Sequence, residues 1–323
     1  MRRVKDEPFR RSFGQPVSAS WIASQLSTSN YEIIGDPATT ADSIAYLTDD
    51  VPGSLSFWDS DGIDPINSSR ASIVFIRERI ETMPGRAFIC VSDPRWFFIE
   101  ITALLFADTA SGAHPTVVTG DNVTLPESVK VGANAYIGDN VIIGENSRIG
   151  NNCIVHSDTF IGSHTWIKDA CVIGSHGLSF HRNEEGELAR FPHLGATIID
   201  DHVEVGTGSC VVRGMLSDTW IGSRTKIGNL VNIGHGSQID VDCWISAGSN
   251  IGGHSTLGSR VMTGMSVTIA NNINVDDNVR IGMGSVVTKD VEPGTKLFGN
   301  PARPLRTLKP FGPTPRSPLS NTH

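Results

Sequence analysis

Residues 131–174, cut every six, read VGANAY, IGDNVI, IGENSR, IGNNCI, VHSDTF, IGSHTW, IKDACV and IG. Every block opens on an aliphatic residue: Val131, Ile137, Ile143, Ile149, Val155, Ile161, Ile167 and Ile173, with Leu125 one step upstream in phase. Gly often follows, as at 132, 138, 144, 150, 162 and 174. Four residues beyond each aliphatic stands a small side chain or Val, such as Ala135, Ser147, Cys153 and Cys171. The period returns at Ile199, Val205 and Val211, then runs from Ile221 to Val287 with Thr263 as its one non-aliphatic member. A spacing of six does not fit a helical stripe of 3.6, whereas short β-segments with a turn every six residues do. Three such segments close a triangular coil, the aliphatic residue pointing in, the small one filling the corner, and Gly or Asn supplying a positive φ. Twenty-four hexapeptides, three to a coil, predict eight coils and a prism roughly 38 Å tall.

Working outward, the whole chain has 323 residues and a net charge of −8, which argues against a general nucleic-acid binder. No apolar run approaches a membrane span, and the polar stretch from Met1 to Arg11 lacks the apolar segment of a secretory signal. The five cysteines, 90, 153, 171, 210 and 243, form no CxxC pair and read as buried thiols of a cytoplasmic protein. The expected division is a polar tail at 1–15, a small α/β domain at 16–106, a linker at 107–118, the prism at 119–292 and a basic, Pro-rich segment at 293–323. In the second of these, Ser18 caps a helix carrying Trp21, Ile22 and Leu26, and Asp93-Pro94 starts another carrying Phe97, Phe98, Ile101, Leu104 and Leu105. Strands are expected at 54–58, 72–76 and 87–91.

The hexapeptide pattern resembles that of the hexapeptide-repeat acyltransferases, which implies a left-handed parallel β-helix assembled as a trimer with active sites between neighbouring prisms. The upstream pieces Gly35-Asp36-Pro37, Gly53-Ser54-Leu55-Ser56-Phe57 and Asp93-Pro94-Arg95 resemble the N-terminal domain of the UDP-3-O-acylglucosamine N-acyltransferase family of lipid A biosynthesis. That resemblance implies a uridine held near Phe57-Trp58-Asp59-Ser60, with Phe57 or Trp58 as an aromatic platform.

Acyl transfer from a thioester needs a base for the acceptor proton, and a neutral imidazole suits that at neutral pH. His235, in the stretch KIGNLVNIGH (226–235), matches the family's catalytic-histidine segment, and Gly234 and Gly236 leave its ring room to face a cleft. Phe191-Pro192-His193-Leu194-Gly195 and Arg213 to Thr219 also follow that family, and the period breaks between Gly174 and Gly195, where a loop carrying Gly177, Leu178 and Phe180 leaves the wall. Phe180, His193, Asn232 and Asn272 are the expected acceptor contacts in the prism. Two departures stand out: Gly228 replaces the family's Asp, leaving Asp240, Asp242, Glu204 or Asp218 to support the base, and Asn272 falls at or beside a second family histidine. His254, 19 residues beyond His235, reads better as a surface residue than as a cleft one.

The C-terminal run from Gly282 to Gly294, with Gly299-Asn300-Pro301-Ala302-Arg303, resembles instead the ending of acetyl-CoA-dependent hexapeptide enzymes. Gly264, Gly282, Ser285, Lys289 and Arg303 are therefore the expected donor-site residues, and Lys296, Arg306, Lys309 and Arg316 add positive charge for CoA phosphates. The sequence reading is thus a cytoplasmic homotrimeric acyltransferase with no resident cofactor or metal. It moves an acyl group, first of all acetyl from acetyl-CoA, to a nucleotide-linked or glycan sugar of the cell envelope. The alternatives are the lipid A N-acyltransferase with acyl carrier protein as donor, a non-catalytic scaffold, and a zinc hydratase using His176, His181 and His156 or His164.

Overall fold

The computed structural model describes residues 11–60, 62–107 and 111–305. The chain divides into two compact units, residues 1–109 and 110–323.

The first unit is a six-stranded mixed sheet in the order β1-β3-β4-β5-β6-β2, from β1 (Arg11–Ser18), β2 (Glu32–Gly35), β3 (Thr40–Ile44), β4 (Ser54–Phe57), β5 (Ile73–Ile76) and β6 (Ala87–Cys90). The outer pairs β1·β3 and β2·β6 are antiparallel and the inner ones parallel. The strands β5 and β6 are apolar throughout because each side of the sheet carries its own core, one around Leu55, Ile73 and Phe75 and one around Ile66, Val74 and Phe88. Ser18 and Asp93 cap their helices as read, accepting from Trp21 N and Trp96 N. Two expectations change. Residues 11–15 are not a tail, since Arg11–Ser18 pairs with Thr40–Ile44. Leu104 lies exposed, because the buried side of its helix is set by Phe97 and Ile101.

The second unit is a left-handed parallel β-helix, its stacked parallel coils as read from the period of six and its hand as the family resemblance implies. Its first face contains Lys130–Val131 and its equivalents, the second Tyr136–Ile137 and the third Ile142–Ile143. Strands stack with a register of 18 residues, as in Tyr136↔Ile154 and Ile137↔Val155. The inward column, from Val131 to Val287, is buried almost completely. Thr263 is accommodated because its hydroxyl accepts the Ser246 N–H at 3.0 Å. The small corner residues close the turns of the next coil: Ser147 Oγ donates to Gly162 O at 2.7 Å, and the Cys153 and Cys243 thiols donate to Lys168 O and Gly258 O. Burial pushes the Cys243 thiol up to about 11, so it packs and does not react.

The prism is longer than eight coils: its longest face holds ten strands in parallel beside the antiparallel closing strand Arg303–Pro304. The extra strands lie at 112–119 and 296–298, in what reads as the linker and the C-terminal segment. Gly112–Ala113 and Val118–Thr119 already pair with the wall, and Lys296–Phe298 extends it. Ala113 and Thr119 occupy the inward register there without being large aliphatics, which hid these strands from the count. The glycines after each aliphatic also work differently from expectation. Positive φ falls two residues later, at Asn134, Asn140, Asn146, Asn152 and their equivalents. Gly is needed because coils touch there, and a Cβ on Gly150 would lie 2.5 Å from Asp169 N. No helix among the described residues is long and apolar enough to cross a membrane.

Candidate active site

The edge between the second and third faces is where both period breaks leave the wall. The longer excursion carries the hairpin Phe180–Arg182 with Leu188–Arg190, and the shorter one spans 213–218. They are stitched together: Leu194 N donates to Met215 O, Arg213 Nε to Gly195 O, and Ala196 N to the Asp218 carboxylate at 2.7 Å. Arg213 is further held by Asp158 at 3.2 Å.

This edge gathers a chain of imidazoles. His235 lies edge-to-face with His193, ring centroids 5.4 Å apart, and with His254 at 4.7 Å. His193 in turn meets His176 at 6.0 Å. The His235 ring lies over Gly253 of the next coil, where a Cβ would fall 2.7–2.9 Å from three of its atoms. Gly177 keeps the passage between His193 and His235 open, since a Cβ there would meet His193 Nε2 at 2.8 Å. Hydrogen bonds fix the backbone: Gly236 N donates to Thr219 Oγ1, and His254 N to His235 O.

Burial holds the His235 imidazole below its ordinary pKa, and His254 and then His193 push it the same way. His193 is likewise lowered, first by burial and then by His176. These rings are therefore neutral at pH 7, as a proton acceptor requires. Among the described residues no carboxylate hydrogen-bonds to any of them. Each acid considered as support is engaged elsewhere: Asp240 by Ser259 Oγ and Val241 N, Asp242 by Arg224, Glu204 by Lys168 and Lys226, Asp218 by Ala196 N. Gly228 also has a structural cause, because a Cβ there would sit 2.5 Å from Ala247 N.

Of the expected acceptor residues, His193 joins the cluster, and Asn272 occupies the left-handed corner one coil beyond His254. Asn232 projects outward from the second face between Cys210 and Asn250. Phe180 lies on the exposed hairpin with the Arg190 guanidinium 5.3 Å from its ring centre. His254 is exposed, as read, and its ring also packs on His235, so it joins the cluster as well; the 19-residue spacing was the available signal. His176 enters as a neighbour of His193, and among the described residues no three His, Cys, Asp or Glu side chains are grouped to hold a metal.

The donor-site expectations divide: Lys289 falls on the histidine edge, between second-face Val286–Val287 and third-face Val291, Arg303 in the first-face sheet, and the other three on a different edge. Gly264 and Gly282 turn the corner between the first and second faces. Ser285 is fully buried and its hydroxyl accepts the Gly299 N–H, so it shapes the last coil and offers nothing to a ligand. Gly282 is covered by the Phe298 ring, which a Cβ would meet at 2.3 Å. Lys289, Lys296 and Arg303 are exposed, while Arg306, Lys309 and Arg316 lie outside the described residues.

In the N-terminal unit, Phe57 and Trp58 point to opposite sides of the sheet, so they cannot form one platform. Phe57 packs on Phe98 with Arg95 5.5 Å from its ring centre, while Trp58 joins the other core and donates to Gly62 O. Phe57 lines a groove of about 670 Å³ with Arg11, Tyr46, Asp49, Arg95 and Phe98. Tyr46, 70% exposed, was missed in the sequence because nothing in its neighbours marks it.

The model of the bacterial transferase hexapeptide family (six repeats) matches residues 116–151. The UDP-3-O-acylglucosamine N-acyltransferase of Rhizobium meliloti (strain 1021) is 44% identical over 130 residues, 40% of this chain and 37% of that protein. The protein of the same name from Methylorubrum extorquens (strain PA1) is 36% identical over 137 residues, 41% of this chain and 37% of its own. The matched region thus spans just over a third of these relatives. Among solved structures, a UDP-N-acetylglucosamine acyltransferase from Bacteroides fragilis is 21% identical, with a TM-score of 0.49 over 59% of this chain and 71% of that one.

Proposed function

We propose that this protein transfers an acyl group from a thioester to the amino group of a UDP-linked, 3-O-acylated glucosamine, with His235 as general base. The observation that carries the reading is the His235 ring itself: half-buried, kept neutral, and set where two excursions leave the wall. The names of the relatives supply the substrate class and move the weight from acetyl transfer to the lipid A reaction. In the step proposed, the acceptor amine attacks the thioester carbonyl and His235 Nε2 takes its proton. The C–S bond then breaks as the amide forms, and the thiolate leaves with the proton from Nε2 as a free thiol.

The base and the donor residues Gly264, Gly282 and Ser285 occupy two different edges of one prism, while Lys289 stands on the histidine edge in the same column as His235. A complete site therefore calls for a second copy that brings its first–second edge against the histidine edge, which fits a homotrimer. For the nucleobase we assign the groove with Tyr46, Phe57 and Arg95, a tyrosine and a phenylalanine beside a cation. The donor is a co-substrate, and the free cysteines suit the reducing cytoplasm. A second reading, acetyl transfer from acetyl-CoA, is favoured by the closing strands Lys296–Phe298 and Arg303–Pro304, which present two cations for phosphate.

The test is free-thiol release on incubation with hydroxyacyl carrier protein or acetyl-CoA and a set of UDP-amino sugars. Release with the carrier-protein donor and a UDP-3-O-acylglucosamine is expected. Release with acetyl-CoA alone selects the second reading, and none with any pair overturns both.

A further inference from the structure

We infer that His193 is the positioning partner of His235: as a neutral imidazole it accepts the Nδ1–H of His235 and so aims the Nε2 lone pair at the acceptor. The inference rests on the reading of His235 as base and adds what fixes its tautomer.

A histidine base works in one direction only when its other nitrogen is held by an acceptor, usually a carboxylate or a backbone carbonyl. Here the nearby acids are engaged elsewhere, and residue 228 has no room for a side chain. The structure nevertheless leaves six buried side-chain polar atoms without a hydrogen-bond partner among the described residues. Three of the six are His235 Nδ1, His193 Nδ1 and His193 Nε2, on two rings in contact. Buried polar atoms in native proteins are nearly always paired, so this coincidence calls for a partner. The rings are within reach of each other: at a centroid separation of 5.4 Å, a nitrogen of each ring facing the other lies at about 3 Å, a normal hydrogen bond.

His193 is built to hold still. It is 1% exposed, and its neighbours tie the long excursion to the short one through Leu194 N to Met215 O and Arg213 Nε to Gly195 O. The side chains around it are His176, His235, Arg190 and Arg213, none of them anionic, and burial and His176 outweigh the Phe191 backbone, the one neighbour that favours a protonated ring. A neutral His193 has a lone pair to offer; a protonated one has none. Gly177 keeps the passage between the two rings free of side chain.

The experiment is ¹⁵N-histidine NMR of the full chain together with acyl-transfer kinetics on the wild type, His193→Gln and His193→Ala. The wild type is expected to show His235 as the Nδ1–H tautomer. His193→Gln keeps that tautomer through its amide oxygen, with kcat within about threefold of wild type. His193→Ala loses the fixed tautomer and about tenfold or more in kcat, with KM little changed.

An Nε2–H tautomer in the wild type overturns the inference even if neither variant folds. So does a His193→Ala variant with unchanged tautomer and kcat, or a His193→Gln variant that falls as far as His193→Ala. A wild type inactive with every donor removes the proposed reaction instead, and the NMR arm still reports on His193.

Discussion

His235→Ala is expected to lower acyl-transfer turnover by about 10²-fold or more while leaving the protein folded. The size of the loss follows from what a positioned base does, since it removes a proton that water at neutral pH removes poorly. The folded state should tolerate the change because the ring is half-buried and the coil is held by backbone bonds that alanine keeps, such as His254 N to His235 O. Turnover should be read by free-thiol release, and folding by the thermal midpoint of the same samples. A variant that keeps full turnover would remove His235 from the chemistry.

The second large effect is expected from Gly253→Ala, one coil below. Its Cβ would fall within 2.7–2.9 Å of three atoms of the His235 ring, so the imidazole has to swing away. Displacing a base by about an ångström costs on the order of 10²-fold when alignment carries the rate. The loss should be in kcat, with a small change in thermal midpoint, because the obstacle is a movable side chain. The neighbouring Gly252 gives the contrast. A Cβ there would lie 2.5 Å from the backbone N of Asn271, so Gly252→Ala should spread the coils and lower stability. Equal stability losses in the two variants, with kcat of Gly253→Ala unchanged, would contradict this picture of the site.

Much of the prism is legible in the sequence because inward side chains are aliphatic on nearly every strand, and Val131 through Val287 keep that rule with Thr263 as the exception. The end coils escape it, since the register there falls on Ala113 and Thr119, where the core thins out. His235 and the period break are visible for a related reason, as extra residues cannot remain in a packed wall. Less legible are features set by geometry between coils. The left-handed φ falls on residues as different as Asn134, His164, Ala170 and Leu230, so composition does not mark the corner. The acids around His235 looked equivalent in one dimension, and only their hydrogen bonds reveal that each is committed elsewhere. Phe57 and Trp58 are adjacent in the chain, yet strand alternation sends them to opposite cores.

The pH dependence of kcat/KM tests the role of His235 most directly. With burial, His254 and His193 all disfavouring the imidazolium, the base keeps its lone pair to lower pH than a free histidine does. The expected result is a single acid limb below the ordinary imidazole value of 6.5, absent from whatever activity His235→Ala retains. A limb at or above that value, or one that persists unchanged in the variant, would contradict it.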